Sequence, residues 1–74
     1  MEVLLFGMIA EMAGADRVKV DASSVHQLRR ALADRIPDLD KFSMAIAVDR
    51  RIVHEDMPLT GSEEIAVLPP FAGG

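Results

Sequence analysis

The chain contains no cysteine, tryptophan or tyrosine. Without thiols it can form no disulfide, no Cys-ligated zinc site and no thiol nucleophile. Phe6, Phe42 and Phe71 are its whole aromatic content, 4% of residues, so platforms on which bases stack are scarce. Basic residues are the minority, eight against twelve acidic for a formal net charge of −4. Apart from Arg29-Arg30 and Arg50-Arg51 they are scattered, and a phosphate backbone is repelled by such a surface. No nucleic acid partner is expected. No apolar run approaches the ~20 residues of a membrane helix, and Met1-Glu2 lead into a strand-like run where a cleavable signal would begin. The expected location is the cytoplasm, with no membrane partner. His26 and His54 have no obvious carboxylate cluster with which to close a metal site and read as solvated surface residues. No metal and no bound cofactor are expected.

What is present is an aliphatic core. The 74 residues are 50% hydrophobic, with five methionines. That is enough for one small domain and too little for a deep enzymatic cleft with a layered surround. Repeats, low-complexity runs and linkers are missing.

Val3-Leu4-Leu5-Phe6 is an apolar run too short for a helix and ended by Gly7, which predicts a strand. Ile9 to Ala13 followed by Gly14 predicts one or two helical turns with a glycine C-cap. Arg17-Val18-Lys19-Val20-Asp21 alternates polar and apolar, as a half-buried strand does. Ser24 and Gln27 form a capping box, each side chain placed to satisfy the other's free N–H. Val25, Leu28, Ala31, Leu32 and Ile36 then fall on one helical face until Pro37 ends the helix. After the turn Pro37-Asp38-Leu39-Asp40, Met44 to Val48 reads as a buried strand and Arg51-Ile52-Val53 as a short extension. Met57 to Gly61 reads as loop, and Glu64 to Leu68 as the last strand, stopped by Pro69-Pro70.

The order strand, strand, helix, strand, short strand, strand with one strong amphipathic helix has a two-layer solution. It predicts an α+β fold of β-grasp (ubiquitin-like) type: a mixed sheet packed on one main helix, the last strand central, and a free C-terminal tail. The expected division is a β-grasp domain at 1–70 and a flexible Gly-Gly tail at 71–74.

That tail carries the chemistry. Pro69 and Pro70 fix their own φ angles and cannot extend a ladder, so the exit is stiff. The four residues beyond reach at most roughly 13 Å. Gly73 and Gly74 lack a Cβ, so the end is only backbone wide and fits a narrow channel. A terminal glycine carboxylate is unhindered for activation as an acyl-adenylate and for sulfur attack giving a thiocarboxylate. A terminal Gly pair arises by chance in about one chain in 200, so its weight lies in its position after a strand and two prolines.

The segment Leu59-Thr60-Gly61-Ser62-Glu63-Glu64-Ile65-Ala66-Val67-Leu68-Pro69-Pro70-Phe71-Ala72-Gly73-Gly74 resembles the ending of the MoaD/ThiS sulfur carriers, and the likeness spans the whole chain. The double proline favours the branch serving molybdopterin synthesis, since thiamine-pathway carriers share the Gly-Gly but usually lack it. Ala10 stands where the family often has Arg, Asp49 where Asn is common, and Gly61 one place before the usual turn glycine, with Ser62 in its slot.

The resemblance implies a cycle. An adenylyltransferase related to ubiquitin-activating enzymes uses ATP to charge Gly74, a persulfide donor supplies sulfur, and the tail enters the large subunit of molybdopterin synthase in a heterotetramer of both subunits. The large subunit would hold the catalytic residues, and this chain would be a non-catalytic co-substrate. A carrier for thiamine, cysteine or tRNA thiolation, a ubiquitin-like modifier joined through Gly74 to lysines, and an inert interaction module remain alternatives.

The strands also predict a docking face. Val3, Leu5, Ile65 and Val67 suit the helix-covered side, leaving Leu4, Phe6, Ala66 and Leu68 on the other, with Ile52 a further candidate. An apolar patch of Phe6, Ile52, Leu68 and Phe71 on so small a domain marks an interface. Pro69, Pro70 and Ala72 join it as partner-binding positions, with Gly73 and Gly74 at the reacting end. Glu63-Glu64 and Arg50-Arg51 read as solvated turns.

Overall fold

The computed structural model describes residues 1–69. The elements in order are β1 (Glu2–Leu5), α1 (Gly7–Ala13), β2 (Arg17–Lys19), α2 (Val25–Arg35), a 3-10 turn (Leu39–Lys41), β3 (Ala45–Val48), β4 (Arg51–Val53) and β5 (Ile65–Leu68). They form one five-stranded sheet ordered β2-β1-β5-β3-β4. β1 runs antiparallel to β2 and parallel to β5, and β3 is antiparallel to both β4 and β5. The last strand is therefore central in a mixed β-grasp sheet, as the sequence predicts.

Alternation sets the two faces of that sheet. Val3, Leu5, Ile46, Val48, Ile65 and Val67 point inward and join Ile9, Val25, Leu28, Leu32, Ile36 and Leu39 in a single buried cluster. The inclusion of Leu39, fully buried inside a segment read as a polar turn, is a departure. Asp38 takes a left-handed φ of 65°, which turns the chain after Pro37 so that the 3-10 turn drops Leu39 against the core.

α1 ends as expected, Gly14 capping it at φ 74° with its N–H shared by the Ala10 and Glu11 carbonyls. At the start of α2, the Ser24 hydroxyl accepts the Gln27 N–H at 3.1 Å. The reciprocal bond is shifted by one residue: Gln27 Oε1 accepts from the Ser23 N–H, at 2.9 Å, not from Ser24. The remaining first-turn donors go to a distant loop. Val25 N–H reaches the Met57 carbonyl at 2.9 Å, and His26 N–H reaches Asp56 Oδ1 at 2.7 Å. With Gln27 that satisfies three of the four N–H groups a helix start leaves open. The 56–59 stretch is thus fastened to α2, and Leu59 is buried.

β3 and β4 meet in a two-residue hairpin, since Val48 pairs with Arg51. Asp49 and Arg50 both adopt positive φ, 51° and 69°, the arrangement of a type I′ turn. The sequence reads only a short extension here, because Asp-Arg lacks the glycine that usually signals such a turn. Glu64 supports it: the Asp49 N–H donates to the Glu64 carbonyl at 2.8 Å, the Glu64 N–H donates to Asp49 Oδ1 at 2.9 Å, and Arg50 Nε lies 3.5 Å from the Glu64 carboxylate.

Glu63 also does more than solvate a turn. Its carboxylate accepts the Thr60 N–H on both oxygens, at 3.0 and 2.9 Å, and the Gly61 N–H at 3.0 Å. The bond from Thr60, more than those from Glu63's own N–H and from Gly61, holds the carboxyl below its ordinary value of 4.5, against a smaller opposing effect of desolvation. Gly61 sits at φ 102° in this turn, a conformation that glycine adopts without strain.

Two predictions follow from these contacts. A carboxyl with a lowered folded-state pKa contributes stability that is complete above the unfolded value and is lost as pH falls through the folded one. Glu63→Gln should therefore leave a shallower loss of stability as pH falls below the ordinary carboxyl value of 4.5 in urea titrations; an unchanged acid-side slope would refute this. Gly7, at φ 58° with a Cβ position 3.1 Å from Pro69 Cγ, should tolerate Ala poorly. Gly7→Ala is expected to cost about 1–2 kcal/mol from the left-handed backbone alone, read as a lowered denaturant midpoint.

Candidate functional site

The parallel register of β1 and β5 pairs Leu5 with Val67, and the antiparallel register of β3 and β5 pairs Ala45 with Leu68. Two steps further along the first register and one along the second, Pro69 faces Gly7 on one side and Met44 on the other. The Phe6 N–H donates to the Val67 carbonyl at 3.1 Å, which ties the β1–α1 corner to the end of β5. The place where the chain leaves the sheet is therefore set by bonds to both neighbouring strands. Gly7 makes the approach of Pro69 feasible, because a side chain there would meet the proline ring.

The sheet face turned away from α2 follows from the same registers. Leu4, Ala66, Ala47 and Ile52 lie in one row, with Arg17 of β2 at its outer end. Leu68 and Ala45 form the next row toward the tail. Phe6 and Ile52 are each 45% exposed, while Leu4, Leu68 and Pro69 are half-buried. Adjacent strands are about 4.8 Å apart, so Phe6 on the β1 side and Ile52 on β4 stand roughly 14 Å apart across the sheet.

Between them are Ala45, Ala47 and Ala66. The large side chains therefore stand around a middle lined by small ones, and the strand at the centre is never bare backbone. The sequence reading placed Ala66 on this face beside the large residues and passed over Ala45 and Ala47; the signal is that strands β3 and β5 place Ala at every outward position except Leu68. From the row of Leu4 to the row of Leu68, no side chain on β1, β5 or β3 titrates. Such a face binds by area and shape, and supplies neither a general acid nor a general base.

Pro70, Phe71, Ala72, Gly73 and Gly74, the other sequence-predicted site residues, lie outside the described residues, as does the expected division between domain and tail. His26 and His54 are both exposed and line a small depression of about 150 Å³ with Arg29 and Asp56. Among the described residues no group of three or more His, Cys, Asp or Glu is placed to hold a metal ion. No helix among them is long and apolar enough to cross a membrane.

Known proteins are similar to this chain over nearly all its length. The profile of the ThiS family matches residues 3–74. The molybdopterin synthase sulfur carrier subunit of Escherichia coli (strain K12) is 32% identical over 83 residues, covering 100% of this chain and 99% of that protein. Small archaeal modifier protein 1 of Methanosarcina acetivorans superposes with a TM-score of 0.83 at 25% identity, covering 99% of this chain and 94% of that one. A chain in the complex of subunits 1 and 2 of the molybdopterin-converting factor from Helicobacter pylori 26695 superposes at 0.71 with 28% identity, over 99% and 96%. With a family match over nearly all its residues and a full-length relative, this β-grasp chain belongs to the ThiS family, the MoaD/ThiS sulfur carriers that its Pro-Pro and Gly-Gly ending resembles.

Proposed function

We propose that this chain carries sulfur on its C-terminal carboxylate for molybdopterin synthesis. The observation that carries the reading is the full-length identity to a molybdopterin synthase sulfur carrier subunit, joined to a sequence that ends in Gly73-Gly74 five residues past the central strand. The Gly74 carboxylate attacks the α-phosphate of ATP in a partner adenylyltransferase related to ubiquitin-activating enzymes, releasing pyrophosphate. A persulfide sulfur then attacks the acyl carbon and displaces AMP. Reduction of the remaining S–S bond by a thiol leaves the thiocarboxylate.

The charged tail enters the large subunit of molybdopterin synthase, which holds the catalytic residues and transfers the sulfur to a pterin. ATP is bound by the charging enzyme and not by this chain. The cycle runs in the cytoplasm, and the two subunits associate in a heterotetramer. A pairing of subunits 1 and 2 in the Helicobacter pylori complex supports the large subunit as partner. The open face of Phe6, Ile52 and Leu68, continued by Pro69, Pro70, Phe71 and Ala72, is the docking surface.

A second reading has its own support. The relative from Methanosarcina acetivorans is named a modifier protein, and a terminal acyl-adenylate is equally open to attack by a lysine amine. Conjugates that survive a denaturing gel and vanish when Gly73-Gly74 is deleted would establish that use of the tail.

Two experiments test the carrier reading. Removing Gly74 should abolish the mass increase that corresponds to one oxygen replaced by sulfur, when the chain is incubated with the adenylyltransferase, ATP and a sulfur donor. The melting temperature should not change, because the buried core among the described residues ends at Val67. Loss of folding, or a full-length chain that never gains sulfur, contradicts the proposal. Phe6→Asp or Leu68→Asp should weaken binding to the large subunit by at least about tenfold, as expected when a charge enters an apolar contact centre. Equal affinity for both variants and the parent chain would remove the open face from the interface.

A further inference from the structure

On the helix-covered side of the sheet a groove runs between α2 and the segment leading into β3. Its walls are Arg29, Arg30 and Ala33 on the helix and Phe42, Ser43 and Met44 opposite, around a space of about 420 Å³. We propose that this groove takes the chain's own C-terminal residues when no partner holds them, with Phe71 against Phe42 and Met44 and the Gly74 carboxylate against Arg29 and Arg30. This goes beyond the carrier reading, since it concerns the chain alone and needs no sulfur chemistry.

The start of the tail is already beside the groove. The register that pairs Ala45 with Leu68 sets Met44, one of the groove walls, level with Pro69. Alternation along β5, with Val67 inward and Leu68 outward, turns Pro69 to the helix-covered side. Met44 is turned the same way and packs against the buried cluster. Carried two places further, the same register would set Phe71 level with Phe42. Five residues follow Pro69 and span at most roughly 17 Å, enough to pass Phe42 and cross to the helix.

The chemistry of the groove fits that of the tail. Phe42 is 44% exposed on a held backbone, its N–H donating to the Leu39 carbonyl at 3.1 Å, so it offers apolar area at low entropic cost. Among the described residues Arg29 and Arg30 pair with no carboxylate, whereas Arg17 pairs with Glu2 and Asp16, and Arg50 with Glu64. Guanidinium groups match a carboxylate in charge and in geometry. Asp40 lines the opposite wall and repels a carboxylate there, which favours the arginine side. Pro70 has no N–H with which to extend the ladder, so side-chain contact and charge hold the segment. Each such exposed ion pair is weak, but a tethered segment has an effective concentration on the order of millimolar. The contact can therefore hold the tail and still yield it to a partner.

The test compares amide and arginine side-chain NMR signals of the isolated full-length chain with those of a chain ending at Pro70. Removal of 71–74 should shift Ala33, Phe42, Ser43 and the Arg29 and Arg30 Nε–H signals. In the full-length Arg29→Glu, Arg30→Glu variant, the Gly73 and Gly74 amides should move to the positions of an unstructured peptide. In about 1 M salt, where the screening length falls to about 3 Å, the parent chain should approach the same positions. Truncation that shifts only the neighbours of Pro69, with Gly73 and Gly74 unchanged in the arginine variant, overturns the proposal and leaves the carrier reading intact. Shifts at Ala66 and Ile52 in place of the groove would put the tail on the open face and overturn it too. Groove shifts that fade on dilution would assign the groove to the tail of a second copy, which also overturns it.

Discussion

β5 hydrogen-bonds to a neighbour on each side, parallel to β1 and antiparallel to β3, and the rest of the molecule is arranged around that double pairing. Its inward residues, Ile65 and Val67, are fully buried against a cluster to which both helices contribute. A one-residue slip of β5 would turn these two outward and bring Ala66 and Leu68 into the core, an error the apolar cluster resists along the whole strand. Because the register is fixed, Pro69 always leaves the sheet at the same point, between Gly7 and the start of β3. The point at which the chain leaves the sheet is thus set by its central strand.

The open face shows what this costs. A central strand needs partners on both edges and a helix on one face, and its other face remains. The chain covers the middle of that face with alanines and ranges larger apolar side chains around them. Ala47, on the outer side of β3, is nearly inaccessible all the same, because its neighbours crowd it. A face so composed presents few charges to a partner and asks for little desolvation when it is covered.

Much of this was legible in the sequence. The Gly14 cap, the Ser24 cap, the stop at Pro37 and the inward phase of Val3, Leu5, Ile65 and Val67 each follow from a local rule, and the structure has them all. What was not legible depends on contacts distant in sequence or on backbone that the residue type does not announce. Asp56 and Met57 cap α2 from some thirty positions away. Arg50 enters the left-handed region because Asp49 and Glu64 hold the turn, not because arginine favours it. Leu39 is buried through a turn begun by Asp38. The site divides in the same way: the Pro-Pro and Gly-Gly ending and the large apolar residues are visible as letters, whereas the alignment of Ala45, Ala47 and Ala66 in the middle of the open face needs the register.

The parallel pairing of β1 with β5 has a mechanical side. A partner that draws on the C-terminus pulls along the axis of β5, away from the end at which β5 begins. Since β5 is bonded to both β1 and β3 along its length, that tension acts sideways on the two ladders and is shared by their bonds together, as in a lap joint loaded in shear. A terminal hairpin strand pulled outward would instead open one bond at a time. A pull on the end of β5 is therefore borne by both ladders together and does not reach the core one bond at a time.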